Sequence, residues 1–222
     1  MGIKDTFAQI AKAYRTPCVA QIGGFRPPED PATSWFGRGL SLTDQPEPTF
    51  RDQPMFPLLQ VRCSELPEIP AALAGIELLV VYVNALEIPF DKPPGDGWLV
   101  REYRSLDGLQ PIATRAPCKA LGIHWSLGKP ERPGWEQASE LFDMDAINDS
   151  ESASERFFRL PHHEGTKIGG YPFEVQHLVD NADGYVLQIG SEPKAQWMWA
   201  DNGVATFARD ANGAWSFACQ SL

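Results

Sequence analysis

The chain has 222 residues, 43% hydrophobic and 11% aromatic, enough for one packed core or for two half-sized units that share one. Nineteen Lys and Arg against 29 Asp and Glu give a formal charge of −10, which repels phosphate backbones and argues against direct nucleic-acid binding. Twenty Pro and 19 Gly suit short strands joined by fixed turns better than a helical protein.

In chain order, the first fifteen residues lack the apolar run of a secretion signal and predict a helix capped by Asp5, with Phe7, Ile10, Ala11 and Tyr14 on one face. Met1-Gly2 with Thr6 also fits a loose myristoylation pattern, but a net-acidic protein gains nothing from anionic lipid, so the helix is the preferred reading. No stretch reaches the roughly 20 apolar residues that span a bilayer, and a cytoplasmic location without membrane contact is expected. "CVAQI" predicts a strand running into Gly23-Gly24. A Pro- and Gly-rich excursion follows from Arg26 to Met55, pinned by Trp35, Phe36 and Phe56. "PLLQVRCSEL" and "GIELLVVYVNAL" read as strands, the second buried on both faces or central in its sheet. "WLVREYRSL" alternates Leu99, Arg101 and Tyr103 against Trp98, Val100 and Glu102, and "LQPIATRAP" follows as a further strand.

"ERPGWEQASELFDMDAI" predicts one helix with Trp135, Ala138, Leu141 and Phe142 on a stripe, and its acidic character continues into a tail, "NDSESASER". "YVLQIGS", "AQWMWA", "GVATFARD" and "AWSFACQ" then read as a meander of strands, with Asp201-Asn202-Gly203 and Asp210-Ala211-Asn212-Gly213 as turns.

Two phrases repeat. Gly23-Gly24-Phe25 precedes Leu59-Gln60-Val61, and Gly169-Gly170-Tyr171 precedes Leu187-Gln188-Ile189, each followed by an apolar strand. The common order with unequal spacing predicts two degenerate halves, roughly residues 18–110 and 165–222, with a helical acidic segment near 131–156, all within one domain. A Gly-Gly pair permits a sharp bend, whereas a phosphate-binding loop needs further glycines and a helix directly after them. Pro27-Pro28 and Pro172 stand there instead.

Chemistry is sparsely signalled. The four cysteines, Cys18, Cys63, Cys118 and Cys219, contain no Cys-x-x-Cys pair and read as reduced core thiols. His162-His163-Glu164 offers metal ligands in principle, but neighbours on an extended segment point to opposite faces, so no metal and no cofactor are expected. His124 and His177 are isolated, and no Gly-x-Ser-x-Gly elbow occurs, so no catalytic residue is assigned. Trp197-Met198-Trp199 puts two indoles on one face of a predicted strand, a stacking platform or, preferably, core. The surface feature that stands out is acidic: Glu136, Glu140, Asp143, Asp145, Asp149, Glu151 and Glu155, with only Arg156 against them. Such a field suits a basic protein partner, or simply a solvated helix face.

"KIGGYPFEVQ", "YVLQIGSE" and "WMWADNGVATFA" resemble the YwqG-like family of bacterial proteins of unknown function, and "QIGGFRPPE" with "PLLQVRCSELPEIP" resembles its N-terminal half. The phrase residues are Gly23 and Gly24, then Gly169, Gly170, Tyr171, Pro172 and Gln188, then Trp199, Asp201 and Gly203. Arg26 departs from the pattern by separating Phe25 from Pro27. The resemblance implies an α+β fold rich in antiparallel sheet, with a few peripheral helices and no established catalytic residues. Some members of that family are associated with toxin neighbourhoods, which makes an immunity protein that neutralises a basic toxin or effector a natural expectation. The alternatives are a small-ligand module or enzyme with a cleft between the halves, and a structural or regulatory domain.

Overall fold

A computed structural model describes residues 2–27, 29–90, 92–176, 179 and 181–221. Met1 and Pro28, like His177, lie outside the described residues. The architecture is α+β and sheet-rich. One large sheet of ten strands has the order β14-β13-β12-β11-β1-β10-β2-β6-β7-β8, and every pairing in it is antiparallel.

One set of five comprises β10 (Leu121–Leu127), β2 (Trp35–Phe36), β6 (Phe56–Arg62), β7 (Leu78–Val83) and β8 (Trp98–Tyr103). The other comprises β1 (Cys18–Ile22), β11 (Lys167–Ile168), β12 (Tyr185–Gly190), β13 (Val204–Arg209) and β14 (Trp215–Gln220). Two small ribbons, β3 (Leu40–Leu42) with β9 (Leu109–Pro111) and β4 (Thr49–Phe50) with β5 (Gln53–Pro54), cover the first set.

β7 shows why these residues make strands. All six of its side chains are buried. Leu79, Val81 and Val83 enter the main core, while Leu78, Val80 and Tyr82 enter a second cluster with Leu40, Met55 and Tyr103. β-branched side chains fit a pleated surface covered on both faces, and each contributes about 1.5–3 kcal/mol by leaving water.

The sheet curls until its ends meet. Glu102 on β8 accepts hydrogen bonds from Arg209 Nε (2.7 Å) and Nη2 (3.1 Å) on β13 and from Trp215 Nε1 (2.7 Å) on β14. Beside them Trp98 stacks on Phe217, with ring centroids 5.5 Å apart. The two open edges of the sheet are thus joined by side chains, which limits pairing with other chains there.

Equivalent strands of the two sets are locked by the same hydrogen bonds. Gln60 and Gln188 are both fully buried. Gln60 Oε1 accepts from Leu40 N–H at 2.7 Å and its Nε2 donates to Pro31 O and Thr33 O. Gln188 Oε1 accepts from Phe173 N–H at 2.7 Å and its Nε2 donates to Glu164 O and Gly165 O. Two residues past each glutamine, the Arg62 and Gly190 amides donate to Ser34 Oγ and Thr166 Oγ1. The Gly37 amide donates to Leu58 O as that of Gly169 does to Val186 O. By these bonds the counterpart of Gly169 is Gly37, not Gly23. Gly23 and Gly24 end β1, where both take positive φ.

Other expectations need correction. Asp5 lies in the first turn of α1 (Ile3–Lys12), whose N-cap is Gly2, and Ala11 is exposed. The predicted acidic helix and tail are three helices: α2 (Trp135–Leu141), α3 (Asp145–Asn148) and α4 (Glu151–Phe158), the last capped by Ser150 Oγ. They pack with α1 through Phe7, Ile10, Ala138, Ile147 and Phe157, while Leu141, predicted to face inward, is exposed. "LQPIATRAP" supplies only the short β9. "AQWMWA" is no strand: a 3-10 turn at Pro193–Ala195 leads into left-handed backbone at Gln196, Ala200 and Asn202. The central strand β10 went unpredicted. Gly122, His124 and Ser126 thin its apolar pattern, although Ile123 and Trp125 face the core.

Candidate functional site

The Gly169 to Pro172 phrase is the centre of a buried polar node. Glu131, fully buried, accepts from Lys167 Nζ (2.7 Å) and the Tyr171 amide (2.8 Å) on Oε1, and from the His163 amide (2.8 Å) on Oε2. Gly170 makes this possible. Its φ is +72°, and a Cβ at this position would collide with Glu131 Oε1. Lys167 is fully buried, and that burial lowers its pKa against the opposing pull of Glu131. Tyr171 in turn donates its hydroxyl to Ala13 O at 2.6 Å and carries Arg15 over its ring at 4.3 Å.

His162 extends the node. Its Nδ1 lies 3.2 Å from Arg132 Nη1, which can only donate, and its Nε2 lies 3.2 Å from Pro172 O, which can only accept. The partners therefore select the neutral Nε2–H tautomer. Burial, then the charges of Lys167 and Arg132, hold the imidazole far below the ordinary histidine range. Arg132 also donates to Phe157 O and Pro133 O and lies 4.2 Å from the Phe157 ring. Glu174 caps α2 from outside it, accepting from the Glu136 and Gln137 amides at 3.0 Å each. A pocket of about 380 Å³ lies over this ground, between Arg132, Trp135, Phe158, His162, Phe173 and Glu174.

Chemically, the node is saturated. Each Glu131 oxygen is engaged, Lys167 is sealed from solvent, and His162 stays neutral near pH 7 with both ring nitrogens engaged. Such groups hold three chain segments together, since breaking a buried ion pair strands the surviving charge. Cysteine chemistry is equally disfavoured: all four thiols are free, and burial first of all pushes Cys63 and Cys118 up to about 11 and Cys219 to about 12. Among the described residues no group of three or more His, Cys, Asp and Glu could hold a metal ion. Nor is any described helix long and apolar enough to cross a membrane.

The acidic residues have a different setting. Glu136 and Glu140 on α2, Asp143 in the link, Asp145 on α3, Asp149 beyond it, and Glu151 and Glu155 on α4 are all exposed. The structure thus brings all seven onto one short helical layer. Arg159 joins Arg156 against them, with its Nη2 2.9 Å from Glu155 Oε2. Arg156 lies over the Phe7 ring at 4.2 Å. Leu141 and Phe158, 54% and 59% exposed, stand among these carboxylates, and Phe158 stacks on Trp135 at 5.2 Å.

The Trp199, Asp201 and Gly203 phrase is a turn. The Gly203 amide donates to Trp199 O at 2.7 Å, the Trp199 ring is 1% exposed in the core, and Asp201 is exposed. The node around Glu131 was not legible from the sequence. Its partners lie 32 to 40 residues away. The one local hint is a lysine in the otherwise apolar "KIGG".

A family model described as "Domain of unknown function (DUF1963)" matches residues 37–211. The chain belongs to that family. No curated protein matches it.

Proposed function

Taking the chain as a DUF1963 member, and by its Gly169 to Pro172 and Trp199 to Gly203 phrases a YwqG-like one, we propose that it is a non-catalytic, cytoplasmic binding protein. Its α2–α4 layer docks a basic protein. The supporting observation is the combination on that layer of seven exposed carboxylates with two exposed apolar side chains, Leu141 and Phe158. Apolar anchors ringed by charge are the anatomy of a protein interface: the anchors supply affinity, and the field supplies orientation and speed. Phe7, Ile10, Ile147 and Phe157 pack behind this layer in one buried cluster, which holds its backbone in place and lowers the ordering cost on binding. A basic toxin or effector neutralised by occlusion is the partner class this reading favours, with the protein acting as an immunity protein.

The experiment is affinity purification from native cells at low and high salt, with wild type beside a Glu140→Lys, Asp145→Lys, Asp149→Lys variant. The expected result is a stoichiometric basic protein retained by wild type at low salt, weakened at high salt, and lost from the variant. Equal retention by the variant removes the acidic layer from the account.

A further inference from the structure

The pocket beside α2 contains a cation that the fold leaves uncompensated. Arg132 is 6% exposed, and no carboxylate among the described residues forms an ion pair with it. Its Nε donates to Phe157 O and its Nη1 to Pro133 O and His162 Nδ1. Nη2 donates to no described acceptor yet keeps contact with solvent, and the pocket of about 380 Å³ that Arg132 lines is where that contact is made. Taking a guanidinium out of water without a counter-charge is costly, so one held in this way is suited to receive an anionic oxygen.

The remaining walls carry the opposite charge. Glu136 and Glu164 stand exposed at the rim, and Glu174 is half-buried. Glu174 is fixed where it is: its oxygens accept the Glu136 and Gln137 amides, and a Cβ on Gly134 would overlap its carboxyl group. Burial lowers the Arg132 pKa, and of the charges that oppose this Glu174 acts most strongly, which places its carboxylate near the guanidinium. Phe158 offers an aromatic face, 59% exposed and stacked on Trp135 at 5.2 Å. One cation among three carboxylates rejects sulfate or phosphate, and a simple amine or metal ion leaves Arg132 unmatched. A molecule with one carboxylate and two cationic groups matches every charge in the pocket.

We propose that this pocket binds a free basic α-amino acid of the arginine type. Its carboxylate accepts from Arg132 Nη2, its α-ammonium lies against Glu174, and its side-chain cation lies on the Phe158 ring between Glu136 and Glu164. Arg132 and Glu174 thus take the two charged groups of one α-carbon, and the aromatic face with the rim acids takes the far end. A pocket of this size suits a small metabolite. The site shares Glu136 and Phe158 with the acidic layer but needs no protein partner, so either reading can fail without the other.

The whole protein, labelled with 15N at the indoles of its seven tryptophans, would be titrated with four probes. They are L-arginine, agmatine without the carboxylate, L-citrulline without the side-chain charge, and Nα-acetyl-L-arginine without the α-ammonium. L-Arginine is expected to move the Trp135 indole signal, identified by its absence from the Trp135→Phe protein. Agmatine should bind at least about tenfold more weakly, the effect of losing a hydrogen bond between charged groups. L-Citrulline and Nα-acetyl-L-arginine should each bind about threefold more weakly, as expected for one partly exposed charge pair. Arg132→Lys, which removes Nη2, should abolish the shift. Glu164→Gln and Phe158→Ala, both at exposed positions, should weaken L-arginine about threefold and keep the test decisive if the Arg132 variant does not fold. The proposal is overturned if L-arginine leaves the Trp135 signal in place at millimolar concentration, if agmatine or L-citrulline binds as well, or if both exposed variants bind unchanged. Equal binding of Nα-acetyl-L-arginine also overturns it, and points instead to the C-terminal arginine of a protein.

Discussion

Replacing Gln188 by Met keeps the length and most of the volume of the side chain and deletes only its polar atoms. Three backbone groups then lose their partners: the Phe173 amide at 2.7 Å, Glu164 O at 2.8 Å and Gly165 O at 2.9 Å. Gln188 is fully buried and sits in a strand paired on both sides, so the orphaned groups gain little from water. At about 1–3 kcal/mol for each unsatisfied group, and toward the lower end for the two loop carbonyls, the loss should be about 3–5 kcal/mol. Urea denaturation at neutral pH measures it, with an unchanged slope showing that the unfolded reference has not moved. Gln60→Met should cost a similar amount, because Gln60 makes the same three kinds of bond. Gln21→Met, at an exposed position on β1, should cost under about 0.5 kcal/mol. A loss below about 1 kcal/mol for both buried glutamines would refute the idea that they lock the two strand sets.

Three more predictions follow from single contacts. Arg209 and Trp215 together lower the Glu102 carboxyl, outweighing the burial that would raise it. Its stabilising effect is therefore complete above the unfolded carboxylate range near ~4.3 and fades as pH falls through the lower folded value. Glu102→Gln should then cost about 1–2 kcal/mol at pH 7 and clearly less at pH 3; a gap that stays constant between those pH values would contradict this. Gly170→Ala combines a left-handed φ with the collision at Glu131 and should cost about 2–4 kcal/mol in the same urea assay; a neutral result would mean that the node relaxes freely. His162 should show the neutral Nε2–H tautomer by NMR throughout pH 5 to 8. Since its folded pKa is depressed, the unfolded chain takes up the proton near pH ~6.5 while the folded chain does not, and acidification below that point destabilises the fold. A midpoint for His162 within the pH 5 to 8 window would show that Arg132 and Pro172 do not fix the ring.

What could be read from the sequence depended on how local the cause was. β6, β7, β12, β13 and β14 announce themselves because apolar runs and turn residues lie side by side. β10 does not, because its place between β1 and β2 is decided by partners some hundred and some eighty-five residues away, such as Gln21 opposite His124 and Phe36 opposite Leu121. The paired glutamines were visible as Leu-Gln-Val and Leu-Gln-Ile. The glycines were misaligned, because Gly23-Gly24 resembles Gly169-Gly170 as letters, whereas the shared amide bond belongs to Gly37. Charge pattern correctly placed the seven acids at the surface but merged three helices into one, since the break at Phe142 to Met144 has no Pro or Gly to announce it. The Trp197 to Trp199 segment carries strand-forming residues, yet the turn through Ala200 to Gly203 overrides that propensity.

The central claim is that the acidic layer recruits a basic partner. Its most direct measurement is the association rate of the purified pair against ionic strength, for wild type and for the Glu140→Lys, Asp145→Lys, Asp149→Lys variant. The account predicts a wild-type rate that falls at least about tenfold from low to physiological salt, and a variant that is slow at low salt and nearly insensitive to it. Equal rates for the two proteins at every salt concentration would contradict it.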